Sequence, residues 1–250
     1  MIGCDVPVEH PQFGKLFPCT NPDCPKAQEQ RQRRFAGLLQ HSGLPAKYAR
    51  MTFNTWYSLP KAQRAGKELA AACAALFAMT ESFSLDDAAT ADDLPAPGFE
   101  ERRGWLVLQG PVGVGKTGLA AASMNEMLLR GRAALYYRLG DLFADVQRGY
   151  KPNAAVSADD LLEAVKTAPA LFIDEMNVPK ASDDKLRIVE ELVRYRHGRE
   201  LPTCITCNVS PADFVALWGE RTADVLFEQS HWIVLRGERL RRSAEIQESF

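Results

Sequence analysis

The sequence predicts an α/β protein: a parallel sheet with helices on its faces, built around a phosphate-binding loop. Three observations predict it. Residues 110–117 read Gly-Pro-Val-Gly-Val-Gly-Lys-Thr, a full match to the G-x-x-x-x-G-K-[ST] pattern. That loop lies between a short apolar run, residues 105–109, suited to a buried strand, and a helical pattern over residues 119–129. From residue 104 onward, short apolar runs alternate with helical periodicity, the order that parallel strands and crossover helices produce.

The elements follow in order. The first 26 residues are rich in Pro and Cys and show neither period, so they read as an irregular or metal-tied segment. Residues 27–40 are charged and turn apolar at Phe35, Leu38 and Leu39, a helix that Gly43 and Pro45 stop. Residues 61–80 carry Leu69, Leu76 and Phe77 among alanines and read as another helix. Residues 82–104 hold Asp86, Asp87, Asp92 and Asp93 and then Pro95, Pro97 and Gly98, the composition of a linker or surface insertion. Beyond the loop, strands are expected at 133–137, 170–173, 203–207 and 231–235. Helices are expected at 139–148, 158–167, 183–198 and 211–219. No internal repeat is evident.

A chain of 250 residues buries one sizeable core and has room for a small extra module. Its net charge of −2 argues against a protein that coats nucleic acid by bulk electrostatics, so any such contact must be local. The local basic clusters are Arg31, Arg33 and Arg34; Arg194, Arg196 and Arg199; and Arg236, Arg239, Arg241 and Arg242, each also readable as a solvated helix face. No apolar run approaches the roughly 20 residues that span a bilayer, and no secretory signal is evident at the N-terminus. With a loop that needs cellular ATP, this sets the expectation of a cytoplasmic protein without a membrane partner. Six cysteines in such a chain are expected as free thiols or metal ligands rather than disulfides.

The loop aims successive backbone N–H groups and a helix N-terminus at one point, which suits a polyphosphate. Gly110, Pro111, Val112, Gly113, Val114, Gly115, Lys116, Thr117 and Gly118 form the expected ATP cradle. Lys116 is placed for the β- and γ-phosphates, and the Thr117 hydroxyl for Mg²⁺. Leu171-Phe-Ile-Asp-Glu175 is an apolar strand ending in two carboxylates, the Walker B form. Asp174 is the expected Mg²⁺ ligand and Glu175 the base that polarises the attacking water. The next strand ends at Asn208, which can reach that water or the γ-phosphate, or can simply open a turn before Ser210 and Pro211. Cys204 and Cys207 lie inside this strand, where buried thiols are expected rather than a metal knuckle.

This order of motifs resembles the DnaC/DnaI/IstB group of AAA+ ATPases, from about residue 44 to 242. The carrying segments are Met51-Thr-Phe-Asn-Thr-Trp56, residues 110–117, residues 171–175, Ile205-Thr-Cys-Asn-Val-Ser-Pro211, Gly219-Glu-Arg221 and Leu235-Arg-Gly-Glu-Arg-Leu-Arg241. The resemblance implies an AAA+ P-loop domain over residues 45–250 with an insertion at about 81–103, behind a partner-binding region over residues 1–44. It implies Thr52 and Phe53 at the adenine, Asn208 as sensor 1, and Arg241 as a sensor 2 arginine reaching the phosphates of its own subunit. Family members carry an arginine after Gly-x-Arg and another four residues later, the second being the finger that enters a neighbour's site. Arg221 matches the first; Val225 stands at the second. Either Arg221 substitutes, hydrolysis is slow, or a partner supplies the arginine.

The N-terminal segment resembles zinc-bearing, phage-associated DnaC-like proteins but lacks their upstream Cys-x-x-Cys. Cys4, His10, Cys19 and Cys24 remain as a candidate Zn²⁺ set, against incidental cysteines in a loop. Residues 139–150 stand where replication members carry a helical element for single-stranded DNA, with Arg138, Arg148, Tyr150 and Lys151 available, or where an ordinary crossover helix would stand. The implied function is an ATP-dependent loader of a DnaB-type replicative helicase, an ATPase that binds single-stranded DNA and self-assembles with ATP. The alternatives are an IstB-like transposition helper ATPase and a nucleotide-gated adaptor with little turnover.

Overall fold

A computed structural model of the chain describes residues 25–57, 105–177 and 182–236. The expected helix at 61–80, the insertion at 81–103, Arg241 and the candidate zinc residues Cys4, His10, Cys19 and Cys24 lie outside them.

Five parallel strands form the sheet: β1 (Trp105–Gln109), β2 (Leu135–Arg138), β3 (Leu171–Asp174), β4 (Thr203–Cys207) and β5 (Ser230–Val234), in the order β2-β3-β4-β1-β5. Both faces are covered, so the inner strands read as continuous apolar runs; Val107, Leu108, Leu171 and Ile205 are all fully buried. On one face Leu106, Leu108, Phe172 and Cys204 pack with Leu119, Met124 and Met127 of the loop helix α3 (Lys116–Leu129). On the other, Val107, Ile173 and Ile205 meet α4 (Leu139–Gly149), α5 (Ala158–Thr167), α6 (Asp183–His197), α7 (Pro211–Trp218) and α8 (Glu220–Gln229). The period-2 alternation of a strand makes this division. Cys204 and Cys207 therefore face opposite cores, and both are free buried thiols.

Helix α3 is apolar nearly all round because its outer side is covered too. Helix α1 (Pro25–His41) lays Phe35, Leu38 and Leu39 against that core, and Arg34 donates to Gly131 O at 2.7 Å just past the end of α3. The chain then runs along the outer edge of β2, where Tyr136 N–H donates to Ser42 O at 2.7 Å. A short helix, α2 (Phe53–Tyr57), is capped reciprocally by Thr52 and Thr55: each backbone N–H donates to the other hydroxyl, at 2.7 and 3.0 Å. Asn125 of α3 donates to Tyr48 O and Met51 O at 2.8 and 2.9 Å, so residues 48–57 are fixed on the helix that follows the loop.

Side-chain caps open two of the helices on the far face. The Ser157 and Ser210 hydroxyls accept from Asp160 N and Asp213 N, each at 3.1 Å. Most elements fall where the sequence places them. Helix α8 does not: Gly219, expected to end a helix, also begins the next, its φ of 79° turning the chain between α7 and α8. No helix among the described residues is long and apolar enough to cross a membrane.

Candidate functional site

The site forms at the C-terminal ends of β1, β3 and β4. The strand order places β4 between β1 and β3, so the phosphate loop and the paired acids rise on either side of it. The loop leaves β1 at Gly110, whose φ is 156° and where a Cβ would lie 2.4 Å from Leu235 O. A side chain there would push the loop away from the strand it rests on. At the other end Gly115, with a left-handed φ of 101°, is the N-cap of α3 and has no side chain to accept from the first-turn amides. That first turn, at the positive end of the helix dipole, suits an anion. Lys116 folds its ammonium over the loop, donating to Gly110 O at 2.7 Å and Pro111 O at 2.9 Å. Beneath the loop, the buried Trp56 donates its indole N–H to Gly115 O at 3.0 Å. Its ring lies so near Gly118 that a Cβ there would come within 3.0 Å of Trp56 Cδ1.

Asp174 ends β3 and is buried at 4% exposure. A bare carboxylate there would be costly, and three hydroxyls satisfy it. Thr117 donates to its Oδ1 and Oδ2 at 2.9 and 3.0 Å. Thr206 of β4 donates to Oδ1 at 2.5 Å, and Tyr136 of β2 to Oδ2 at 2.7 Å. Burial, and then the Asp174 charge, push the Tyr136 phenol above the ordinary tyrosine range, so it stays protonated and a donor. An all-oxygen set of a carboxylate and a hydroxyl at the loop's end fits Mg²⁺, which prefers hard oxygen ligands and keeps several waters.

Glu175 follows in a left-handed conformation, φ 57°, which costs a non-glycine residue about 1 kcal/mol or more. Three bonds hold the turn. Glu175 N–H donates to Thr206 Oγ1 at 3.0 Å, Met176 N–H to Thr206 O at 2.8 Å, and Asn177 N–H to Glu175 O at 2.7 Å. The Glu175 side chain points out of the sheet and accepts from Arg138 Nε at 2.6 Å, both groups being about half exposed. The hydrogen bond first, and the charge second, raise the Arg138 pKa further above its ordinary value.

A family model described as "IstB-like ATP binding protein" matches residues 57–247, most of the chain. The chain belongs to the IstB-like ATP-binding protein family. It is 29% identical over 137 residues to the replicative helicase loader DnaC of Escherichia coli K12, covering 54% of this chain and 56% of that protein. It thus spans little more than half the length of the DnaC relatives it matches and a third of the DnaI of Bacillus subtilis. The fold is that of AAA+ P-loop domains. A crystal structure of the DnaC helicase loader superposes with a TM-score of 0.59 at 20% identity, over 77% of this chain and all of that one. AMPPCP-bound DnaA from Aquifex aeolicus superposes with a TM-score of 0.55 at 16% identity, over 77% of this chain and 51% of the other.

The remaining residues expected at the site of this IstB-like chain are spread more widely. Asn208 is exposed just beyond the end of β4, on the same sheet edge as Asp174 and the loop. Thr52 is exposed with its hydroxyl engaged by Thr55, and Phe53 is partly buried against the loop-side core. Arg221 lies in the first turn of α8, 85% exposed and 3.9 Å from Glu190. Val225, one turn later, packs partly into the far core, so the position expected to carry a second arginine serves packing here. Tyr150 is exposed past the end of α4, and Arg148 pairs with Asp145. Among the described residues no cluster of three or more His, Cys, Asp or Glu side chains could hold a metal ion. Sequence reasoning missed Tyr136, Thr206 and Trp56 as parts of the site, and singled out Arg138 only as a nucleic-acid contact. For the strand residues the one signal is parity: Tyr136, Asp174 and Thr206 all point to the α3 face once the strands are in register.

Proposed function

We propose that this chain is an ATP-dependent loader of a DnaB-type replicative helicase, with slow or partner-dependent ATP hydrolysis. The observation that carries the reading is the convergence of Lys116, Thr117, Asp174 and Glu175 at one end of the sheet. The ATP-binding family supports the nucleotide, and relatives named replicative helicase loaders support the role. On this reading residues 110–118 cradle the triphosphate, Lys116 places its charge on the β- and γ-phosphates, and Thr117 and Asp174 hold Mg²⁺. The ion supplies charge neutralisation at the phosphate oxygens. Glu175 takes the proton of the attacking water, and Asn208 orients that water. Thr52 and Phe53 border the base. Arg241 reaches the subunit's own phosphates, and Arg221, exposed at the start of α8, leaves Glu190 to enter the site of a neighbouring copy. ATP then favours one assembly state on helicase and single-stranded DNA by contacts that only the γ-phosphate makes, and hydrolysis releases it. Residues 1–44 serve the helicase contact.

A second reading, a nucleotide-gated adaptor with little turnover, is favoured by two observations: Arg138 holds the Glu175 carboxylate, and Val225 packs into the core. The two are separated by measuring ATP turnover and complex mass together. With helicase, single-stranded DNA and ATP, a loader forms a stoichiometric complex and its turnover rises above that of Glu175→Gln, which stays trapped in the complex. An adaptor forms the ATP-dependent complex while turnover stays at the Glu175→Gln level. No helicase complex in any nucleotide state, with binding to a transposase on duplex DNA instead, replaces both readings with the transposition helper.

A further inference from the structure

The buried hydroxyl of Thr206 joins the two halves of the acid pair. It donates to Asp174 Oδ1 at 2.5 Å and accepts the backbone N–H of Glu175 at 3.0 Å, while its own carbonyl accepts from Met176 N–H. We propose that Thr206 is a positioning residue for the nucleotide site, fixing the metal-binding carboxylate of Asp174 and the backbone of Glu175 through one hydroxyl. The inference rests on the reading of this site as one for ATP with Mg²⁺.

The surroundings explain why a threonine stands here. Thr206 is 2% exposed in a strand whose neighbours Cys204, Ile205 and Cys207 are buried and apolar, and a valine would fill the same volume. A buried hydroxyl is costly unless its bonds are made, and here donor and acceptor are both used on the acid pair. Its χ1 is restricted by β-branching, so the oxygen is held on the α3 face without further support. The position between the loop strand β1 and the acid strand β3 gives it reach to both acids. Glu175 depends on that bond more than an ordinary residue would. Its left-handed φ of 57° is a strained conformation, and without Thr206 its N–H would lose the acceptor that holds the turn. Tyr136 supports Asp174 from the strand on the other side of β3, whereas the Thr206 hydroxyl bonds both Asp174 and the Glu175 backbone.

The test compares Thr206→Val, which keeps the shape and removes the hydroxyl, with Thr206→Ser, which keeps the hydroxyl. ATP affinity is measured by calorimetry in EDTA and across a Mg²⁺ titration, and turnover is followed in parallel. The expected result for Thr206→Val is an unchanged ATP affinity in EDTA, a Mg²⁺ midpoint raised about tenfold or more, and reduced turnover, as outer-shell supports of metal ligands produce. Thr206→Ser restores the Mg²⁺ midpoint. If Thr206→Val does not fold, Thr206→Cys takes its place, matching serine in size with a thiol that bonds weakly. A wild-type Mg²⁺ midpoint in the hydroxyl-free variant, or an equal loss in both variants, overturns the inference. Wild-type protein whose ATP affinity ignores Mg²⁺ overturns the reading of the site itself, and the inference with it.

Discussion

Asp174 and Glu175 are adjacent in sequence and differ sharply in how they are held. Asp174 is buried under three hydroxyls, whereas Glu175 is half exposed and tied to one guanidinium. The first arrangement suits a fixed metal ligand; the second suits a base whose direction can change. An ion pair this exposed is worth little in stability, about 0.5 kcal/mol once screened by solvent. It can still bias the carboxylate's direction, and a bias of that size changes a population about two- to threefold. Arg138→Ala is therefore expected to leave the thermal midpoint nearly unchanged and to raise basal ATP turnover by about that factor. A lower turnover in the variant would mean that Arg138 helps the base rather than withholding it. The loop and the two acids were legible in the sequence because each is contiguous and its spacing is set by local backbone geometry. Tyr136, Thr206 and the Arg138 contact were not, because they become neighbours of the acids only through the pairing register of three strands, which no local pattern encodes. Trp56 is a similar case: it meets Gly115 across 59 positions of chain.

At the scale of elements, strands were read well because buried parallel strands carry dense apolar runs, and helices well where a cap or a period marked them. Helix α8 escaped because one glycine serves as the end of α7 and the start of α8, leaving no polar linker between them. Its core stripe, Thr222, Ala223 and Leu226, was present all the same. The basic cluster at Arg194, Arg196 and Arg199 is readable from the sequence as a local nucleic-acid contact or a solvated helix face, and one member is neither. Arg196 is fully buried and donates to the carbonyls of Lys166, Ala168 and Pro202 at 3.0, 2.7 and 2.7 Å and to Thr203 Oγ1 at 2.9 Å. It satisfies the C-terminal end of α5 and the entry to β4 at once. Burial lowers its pKa to about 10, the mark of a charge held away from water. Arg196→Met leaves those carbonyls without donors and is expected to cost about 3 kcal/mol or more in denaturant unfolding, with ATP affinity unchanged in the folded fraction. A loss below about 1 kcal/mol would show that water replaces the guanidinium.

At the scale of the whole molecule, the two sheet faces do different work. The far face is covered by five helices and supplies bulk core, while the near face carries α3, the helix that follows the phosphate loop, with the segment at residues 48–57 and α1 tied to it. A change at the loop can thus be felt through Trp56 and Asn125 by the segment that leads back toward the N-terminal region. On the function proposed above, this connection is the route by which the nucleotide would govern the partner contact. The fold class, the strand sequence and the loop were readable from pattern alone; the strand order, which sets β4 between the loop and the acids, was not. Everything proposed for function depends on the loop binding a triphosphate through Lys116. The direct measurement is equilibrium binding of ATP with Mg²⁺ to the wild-type chain and to Lys116→Ala, with thermal unfolding to verify that both are folded. Loss of one charge-assisted contact to phosphate predicts affinity weaker by about 10- to 100-fold in the variant. Equal affinity in two folded proteins would contradict the account.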